Sequence, residues 1–433
     1  MRRFLQALLI ASCLTGCGAM RPTVPPDAVR CSLDSFAVSD IYSHVTFNLS
    51  ARVLMQPTRK ASFNVLALSA GGEFGAYGSG FLAGWGSVGE AGLPVPRDDI
   101  QIVTGVSTGA LMATHAFLGD QDEFMVTQYS HLASSDVYRK RSYFELIKAN
   151  SLFDTSRKDK LIRGLISSEV IDRVAAKTGR DLYLGFVDID TGEFRRIDMV
   201  KLANGDRNGI YRSKEERDAC YQAVVGASSA IPIAFEPKFV DGHMLVDGGA
   251  RWFLFLTQAP SSAAVSGMTR RLFSFIHGNL AIACSGPEGI GNGVLPIAVR
   301  TVAIGSDQNV KNSVRLVEEL SNEPLSTSDR SPTFKTYYAA AAKAAAACER
   351  TRQQCEQDQA SDDLFCPRYE ECLAAEGRKD GIAATKPSSG MGPDGEWLPF
   401  RALNLGSEST CAASRRGPVV NTNPADAPRR IFQ

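Results

Sequence analysis

Ser107 stands in Gly105-Val106-Ser107-Thr108-Gly109, between an apolar run, Ile100-Gln101-Ile102-Val103, and a helix-forming stretch, Ala110-Leu111-Met112-Ala113. A G-x-S-x-G serine at a strand–turn–helix junction is held in a strained backbone conformation that exposes its hydroxyl as a nucleophile. Both glycines have a task there, because a side chain at either flank would collide with strand or helix. In a chain with 38 glycines the five residues alone carry little weight, so the reading rests on what else the sequence supplies. A serine hydroxyl needs a base to take its proton and donors to hold the oxyanion that forms when it attacks a carbonyl.

The donors are placed by Ser69-Ala70-Gly71-Gly72-Glu73-Phe74-Gly75, which follows the buried-strand pattern Phe63-Asn64-Val65-Leu66-Ala67-Leu68 and precedes a helix of small residues. Free N–H groups at a helix N-terminus favour negative charge, and glycine at 71 and 72 lets a substrate oxygen approach the backbone. Two rival uses of the loop fail. It lacks the Lys-Ser/Thr ending of a phosphate loop, and the nearest dinucleotide pattern, from Gly78-Ser79-Gly80, falls inside the helix and not at the turn.

For the base, two candidates stand open. Five histidines occur, at 44, 115, 131, 243 and 277. His277, at the end of the strand pattern Leu272-Phe273-Ser274-Phe275-Ile276, could complete a Ser-His-Asp triad of the ordinary lipase type. Asp247, in Val246-Asp247-Gly248-Gly249, could instead take the proton directly, as a carboxylate partly desolvated beside the serine. An Asp-Gly pair is also an ordinary turn, which is the reading given to Asp241-Gly242.

Taken together, four blocks resemble the patatin-like acyl hydrolases, which use a Ser-Asp dyad without histidine. Leu68 to Gly80 looks like that family's glycine-rich loop and helix, and Gly105 to Gly109 like its nucleophile elbow. Ala227-Ser228-Ser229-Ala230-Ile231-Pro232, with Phe235 and Pro237, is similar to the segment before its aspartate, and Asp247-Gly248-Gly249 to the aspartate motif itself. The resemblance covers roughly residues 61–305. It implies Ser107 as nucleophile, Asp247 as base, Gly71 and Gly72 as the oxyanion hole, a lipid carboxylic ester as substrate, and neither metal nor cofactor. Ala70 stands where many members have glycine, and Phe74 where many have Arg or Lys. Losing that cation weakens the expectation of a phosphate-bearing substrate. Ala250-Arg251-Trp252-Phe253 replaces the Asn-x-Pro often found after the aspartate. A non-catalytic envelope scaffold on the same fold is the alternative from another class; it would leave Ser107 inert.

Positioning these groups requires an α/β layered fold, a central mostly parallel sheet flanked by helices with ligands at the carboxyl ends of its strands. Leu182–Ile189 reads as a strand, closed by a turn at 190–193, with Phe194–Met199 returning as a hairpin. Leu272–Ile276 and Val299–Ile304 read as further strands. The division expected is a signal peptide over 1–16, a tether and lead-in over 17–60, the catalytic domain over 61–320, and a helical, cysteine-containing extension with an irregular tail over 321–433. In that extension Ala339–Ala347 predicts an alanine-rich helix running past Cys348 and Cys355, and a second helix carries Cys366 and Cys372. Spacings of seven and six put each pair on one helix face. Folded antiparallel, the helices would join Cys348 to Cys372 and Cys355 to Cys366, although other connectivities remain open.

The N-terminus, Met1-Arg2-Arg3 followed by an apolar stretch from Phe4 to Leu14, describes an export signal too short to span a bilayer. It ends Leu14-Thr15-Gly16-Cys17, resembling the bacterial lipobox whose cysteine is acylated, so Cys17 is the expected lipid attachment and membrane anchor. Gly18 is not the aspartate that retains many such lipoproteins at the inner membrane, which makes the outer membrane of the cell envelope the expected location. With Cys13 and Cys17 set aside, eight cysteines remain, at 31, 220, 284, 348, 355, 366, 372 and 411, and an even number in an oxidising compartment reads as disulfides. No histidine lies near the 348–372 cluster and no C-x-x-C occurs, which argues against zinc. Lys+Arg and Asp+Glu are both 47, so no basic field invites nucleic acid.

Overall fold

Ser62–Leu68 (β2) carries no charged residue, and all but its first residue are buried, as a strand covered on both faces requires. Phe63, Val65 and Ala67 enter one core cluster while Leu66 and Leu68 enter another: the two-residue period of a strand sandwiched between layers. The chain was described by a computed structural model, which covers residues 28–38, 62–87, 97–146, 149–256, 268–278, 290–322, 324, 333–358, 365–384 and 398–399. The expectations placed on Cys17, Cys284, Cys411 and the signal segment lie outside the described residues.

The other strands are Ala37–Val38 (β1), Ile102–Val106 (β3), Arg139–Lys140 (β4), Phe153–Asp154 (β5), Asp181–Asp188 (β6), Glu193–Asp198 (β7), Lys238–Val240 (β8), His243–Asp247 (β9), Thr269–Ile276 (β10), Lys335–Ala340 (β11) and Leu398–Pro399 (β12). The helices that matter here are Gly75–Gly86 (α1), Thr108–Leu118 (α2), Asp122–Ser130 (α3), Ser156–Leu165 (α4), Lys214–Ser228 (α5), Val294–Asn322 (α6), Ala342–Ala347 (α7), Glu349–Asp358 (α8) and Pro367–Ala383 (α9). The main sheet runs β1-β7-β6-β3-β2-β10-β11-β12, with β9 pairing β6 and β8 pairing β9. Its centre, β6-β3-β2-β10-β11, is parallel, and its margins are antiparallel. The fold is therefore the α/β layered arrangement, with helices α1, α2 and α9 contributing to the core on one face and the segment 252–256 with the end of α6 on the other.

One register brings two distant segments together. Along a single edge of β6, parallel β3 ends with Val106 opposite Gly185, and antiparallel β9 ends with Asp247 opposite the next residue, Phe186. The two strands meet end to end, so the residue after Val106 and the last residue of β9 are neighbours by construction.

Two local readings are corrected. Val299–Ile304 lies inside helix α6 and is no strand. Its β-branched residues suggested extended backbone, but Val310, Val314 and Val317, spaced four and three, give this helix its buried stripe, and Val302 and Ile304 are left exposed on the preceding turns. Ala339 and Ala340 belong to β11, not to the alanine helix, which starts at Ala342. Pairing of 335–340 with β10 outweighs alanine's helix propensity. The helical appendage expected after residue 320 thus also adds a strand to the main sheet.

Three disulfides join described residues. Cys348–Cys372 and Cys355–Cys366 brace α7, α8 and α9 in the nested pairing that helix spacing suggests. Cys31–Cys220 ties the lead-in to α5. Asp241 and Gly242, both at positive φ, form the β8–β9 turn. The Asp241 carboxylate also accepts the backbone N–H groups of Cys31, Ser32 and Leu33. No helix among the described residues is long and apolar enough to cross a membrane.

Candidate active site

Ser107 sits between β3 and α2 with φ 54° and ψ −121°, a conformation that is costly for a residue bearing a side chain. The surrounding packing leaves no alternative. A Cβ on Gly105 would fall 2.6 Å from the Gly109 carbonyl oxygen, and one on Gly109 would fall 2.3 Å from that of Leu68. The Ser107 N–H donates to Ser228 Oγ (3.0 Å), and that hydroxyl donates in turn to the Gly185 carbonyl (2.6 Å). Ser228, at the end of α5, thereby pins the elbow to β6.

Asp247 ends β9 facing the same opening. It is 4% exposed, and its Oδ1 accepts the Gly249 N–H at 2.7 Å. Burial pushes the carboxyl up to about 6, against the lowering effects of the Ser107 hydroxyl, the Gly249 amide and the Lys158 ammonium. Oδ2 is buried and carries no formed hydrogen bond, so Ser107 lies near enough to influence the carboxyl without an aligned bond to it. Loosely aligned pairs of this kind are common in unliganded sites.

Gly71 and Gly72 lie where β2 gives way to a short 3-10 turn, Gly72–Phe74, and then α1. A Cβ on Gly71 would fall 2.3 Å from His277 Cβ. The Gly72 carbonyl accepts from Thr108 Oγ1 (2.8 Å), which fixes this loop to the elbow helix. His277 supports the loop from beneath. Its N–H donates to Ser69 Oγ and its Nδ1–H to the Ser69 carbonyl, each at 2.8 Å. Burial holds the ring down to about 4, so it is neutral. Its Nε2 has no hydrogen-bond partner and fills the space that a Cβ on Gly78 would need. Among the described residues no histidine bonds to Ser107: His115 Nε2 lies against the Leu165 carbonyl, His131 Nδ1 against that of Thr127, and His243 Nδ1 against Asp188. His44 lies outside the described residues.

Two cavities share Ser107, Gly72 and Ile231. One, of about 80 Å³, presents a mainly apolar surface from side chains such as Leu111, Leu132, Val137, Ile162, Phe235 and Phe365, with Gln128, Lys158 and Ser229 also in its wall. The other is a wider groove of about 440 Å³, lined by Gly71, Phe74, Asp247, Phe253 and residues of α6 such as Val302 and Asn309. The serine stands at the junction of a small, mainly apolar pocket and a larger groove.

Sequence reasoning missed Lys158. Its Nζ, at the wall of the apolar pocket, donates to the Ser229 carbonyl (2.7 Å), Ser229 Oγ and the Gly226 carbonyl, so it caps the C-terminal end of α5. Burial lowers it to about 7. The signal was present: Lys158, Ile162 and Leu165 fall on one helical face, a lysine in an apolar stripe. Ser228 was noticed only as part of a resemblance, because a side chain's bond to a strand remote in sequence has no local mark.

Residues 66–259 match the family model described as "Patatin-like phospholipase". No curated protein matches the sequence. Among solved structures, the crystal structure of VipD from Legionella pneumophila is similar over 84% of this chain and 94% of its own, at 10% identity and a TM-score of 0.30, too low to bear on mechanism.

Proposed function

Residues 66–259 are a patatin-like phospholipase domain, and from that premise we propose that the chain is a serine hydrolase of lipid carboxylic esters working through Ser107 and Asp247. The observation that carries this reading is the end-to-end meeting of β3 and β9 on β6, which sets a strained serine, shared by two cavities, beside a buried carboxylate. Asp247 takes the proton as Ser107 Oγ attacks the ester carbonyl. The N–H groups around Gly71 and Gly72, at the start of the turn leading into α1, receive the oxyanion. Collapse expels the alcohol, protonated by Asp247, into the open groove and leaves the acyl chain in the apolar pocket. Water, deprotonated by Asp247, attacks the acyl carbonyl, and the acid leaves as Asp247 returns that proton to Ser107 Oγ. Neutral His277 is a support for the loop in this scheme. Phe74, lining the groove where many patatin-like proteins have a cation, favours a leaving group that does not depend on phosphate recognition. We further propose that Cys17 is acylated and holds the enzyme on the outer membrane. The three disulfides are what an exported chain would carry.

The test is hydrolysis of p-nitrophenyl esters of graded chain length, with fluorophosphonate labelling in parallel. Activity and labelling that vanish in Ser107→Ala, nearly vanish for turnover in Asp247→Asn, and persist in His277→Ala are the expected result. Loss in His277→Ala with near-normal turnover in Asp247→Asn would establish the triad instead. An unlabelled, inactive wild type would make the chain a scaffold.

A further inference from the structure

The apolar pocket behind Ser107 is built almost entirely from residues inside 66–259, the span of the patatin-like match. The exception is Phe365. It immediately precedes α9 in the disulfide-braced extension, and its ring joins the satellite cluster of Val137, Tyr138 and Phe235. Three independent ties fix it there. Ser134 Oγ accepts the Phe365 N–H at 2.9 Å and faces its carbonyl at 3.3 Å. The next residue, Cys366, caps α9 and is bridged to Cys355 on α8. Beyond it, α9 packs backbone to backbone on α1, the helix that begins at the oxyanion loop.

A flexible appendage has no reason to present an aromatic ring to a cavity shared with the nucleophile under such constraint. We propose that Phe365 is the specificity-determining residue of the acyl pocket: supplied by the extension, it forms a wall that limits the length of acyl chain accepted. The proposal rests on the hydrolase reading for its catalytic consequence, though not for the pocket itself. Ring contact is apolar and non-directional, so the selection is by length and bulk. A methylene that fits or fails to fit a hydrophobic pocket changes kcat/KM by about tenfold or more. The extension is then part of the enzyme's substrate recognition, and the Cys355–Cys366 bridge keeps its recognition element in place.

The test compares the full mature chain with Phe365→Ala and Phe365→Trp. Phe365 is half-buried, so neither exchange opens the main core. Two readouts are taken: kcat/KM on p-nitrophenyl acetate, butyrate, octanoate and palmitate, each expressed relative to acetate, and calorimetric binding of saturated fatty acids of increasing length. Phe365→Ala should raise the relative kcat/KM at least about tenfold on the first chain longer than the wild-type optimum. Phe365→Trp should move the optimum to shorter chains, and fatty-acid preference should shift in the same directions. Esters hydrolysed with the optimum unmoved in both variants would overturn the assignment of Phe365 while leaving the hydrolase intact. A shifted fatty-acid preference with no ester hydrolysed would remove the hydrolase reading and uphold the pocket. Neither binding nor hydrolysis would overturn both.

Discussion

Asp247 is under two opposing demands. It must be ionised to act as a base, yet burial pushes it up to about 6 from an ordinary 3.8. Because the folded value lies above the unfolded one, the proton is bound more tightly in the native state. The associated stability is full below about pH 4 and is lost as pH rises through about 6. The rise from 3.8 to about 6 corresponds to roughly 3 kcal/mol at neutral pH, a cost carried by a working carboxylate. Two results are expected. For the wild type, kcat/KM should climb with pH through about 6 and then level. Asp247→Asn, which keeps an acceptor for the Gly249 N–H, should lose turnover by about a thousandfold. In urea unfolding it should be more stable than wild type by about 2–3 kcal/mol near pH 8 and no more stable near pH 4. An equal gain at both pH values would mean that the carboxylate charge is not the source. The strain at Ser107 is a comparable local cost, held in place by Gly105, Gly109 and the Ser228 hydroxyl.

Between elements, α1 and α9 meet backbone to backbone. A Cβ on Gly80 would fall 2.0 Å from the Ala374 carbonyl oxygen, and one on Gly84 2.3 Å from that of Arg378. A Cβ on Gly377 would fall 2.1 Å from the Tyr77 carbonyl oxygen, and one on Gly381 2.2 Å from that of Phe81. Each helix thus offers two glycines four residues apart to the other's backbone. A carbonyl cannot rotate out of the way as a side chain can, so Gly80→Val should cost more than the roughly 1–3 kcal/mol of ordinary overpacking. Thermal melting and limited proteolysis should show a lower midpoint and easier cleavage within the extension. Gly164→Ala, inside α4 at a glycine with open space around it, is the control, which should melt at or slightly above wild type. Gly80-x-x-x-Gly84 reads in the sequence as part of a helix of small residues, whereas Gly377 and Gly381 fall where the Gly, Pro and Ser content suggests an irregular tail; the structure corrects this, since α9 continues through both to Ala383. What the sequence did make legible was local: the charge-free strand Phe63–Leu68, the elbow at Ser107, the turn at 190–193 and the cysteine spacing of the extension. Those signals depend on neighbours a few residues away. Val299–Ile304 was misread because a short β-branched run looks alike in helix and strand until the stripe at Val310, Val314 and Val317 is included. The meeting of Ser107 with Asp247, the cap by Lys158 and the intrusion of Phe365 into the pocket all join segments remote in the chain. Only a resemblance, or a structure, could supply them.

Over the whole molecule, the lead-in is clamped before the sheet begins. Cys31, Leu33 and Phe36 are buried, Ala37 and Val38 pair with β7, and the Tyr211 hydroxyl donates to the Cys31 carbonyl at 2.9 Å. If Cys17 is the anchor, fourteen steps of chain (31 − 17) separate it from this clamp, a reach of at most about 50 Å. The catalytic groove would then be confined close to the membrane surface. Cys31–Cys220 closes a loop with a sequence separation of 189 residues, and Cys355–Cys366 one of 11. Loop-closure entropy in the unfolded chain ranks them at about 5 and about 3 kcal/mol respectively. The pair Cys31→Ser and Cys220→Ser should therefore lower the urea midpoint more than Cys355→Ser with Cys366→Ser, with a steeper slope because the unfolded chain released from the longer loop exposes more surface. An unchanged midpoint in the first variant would show that the lead-in detaches without opening the sheet. The bridge would then shorten the tether without stabilising the fold, and reduction would lengthen it to the forty-five residue steps between Cys17 and Ser62, a reach of at most about 160 Å, with a competent enzyme still joined to its anchor through the backbone.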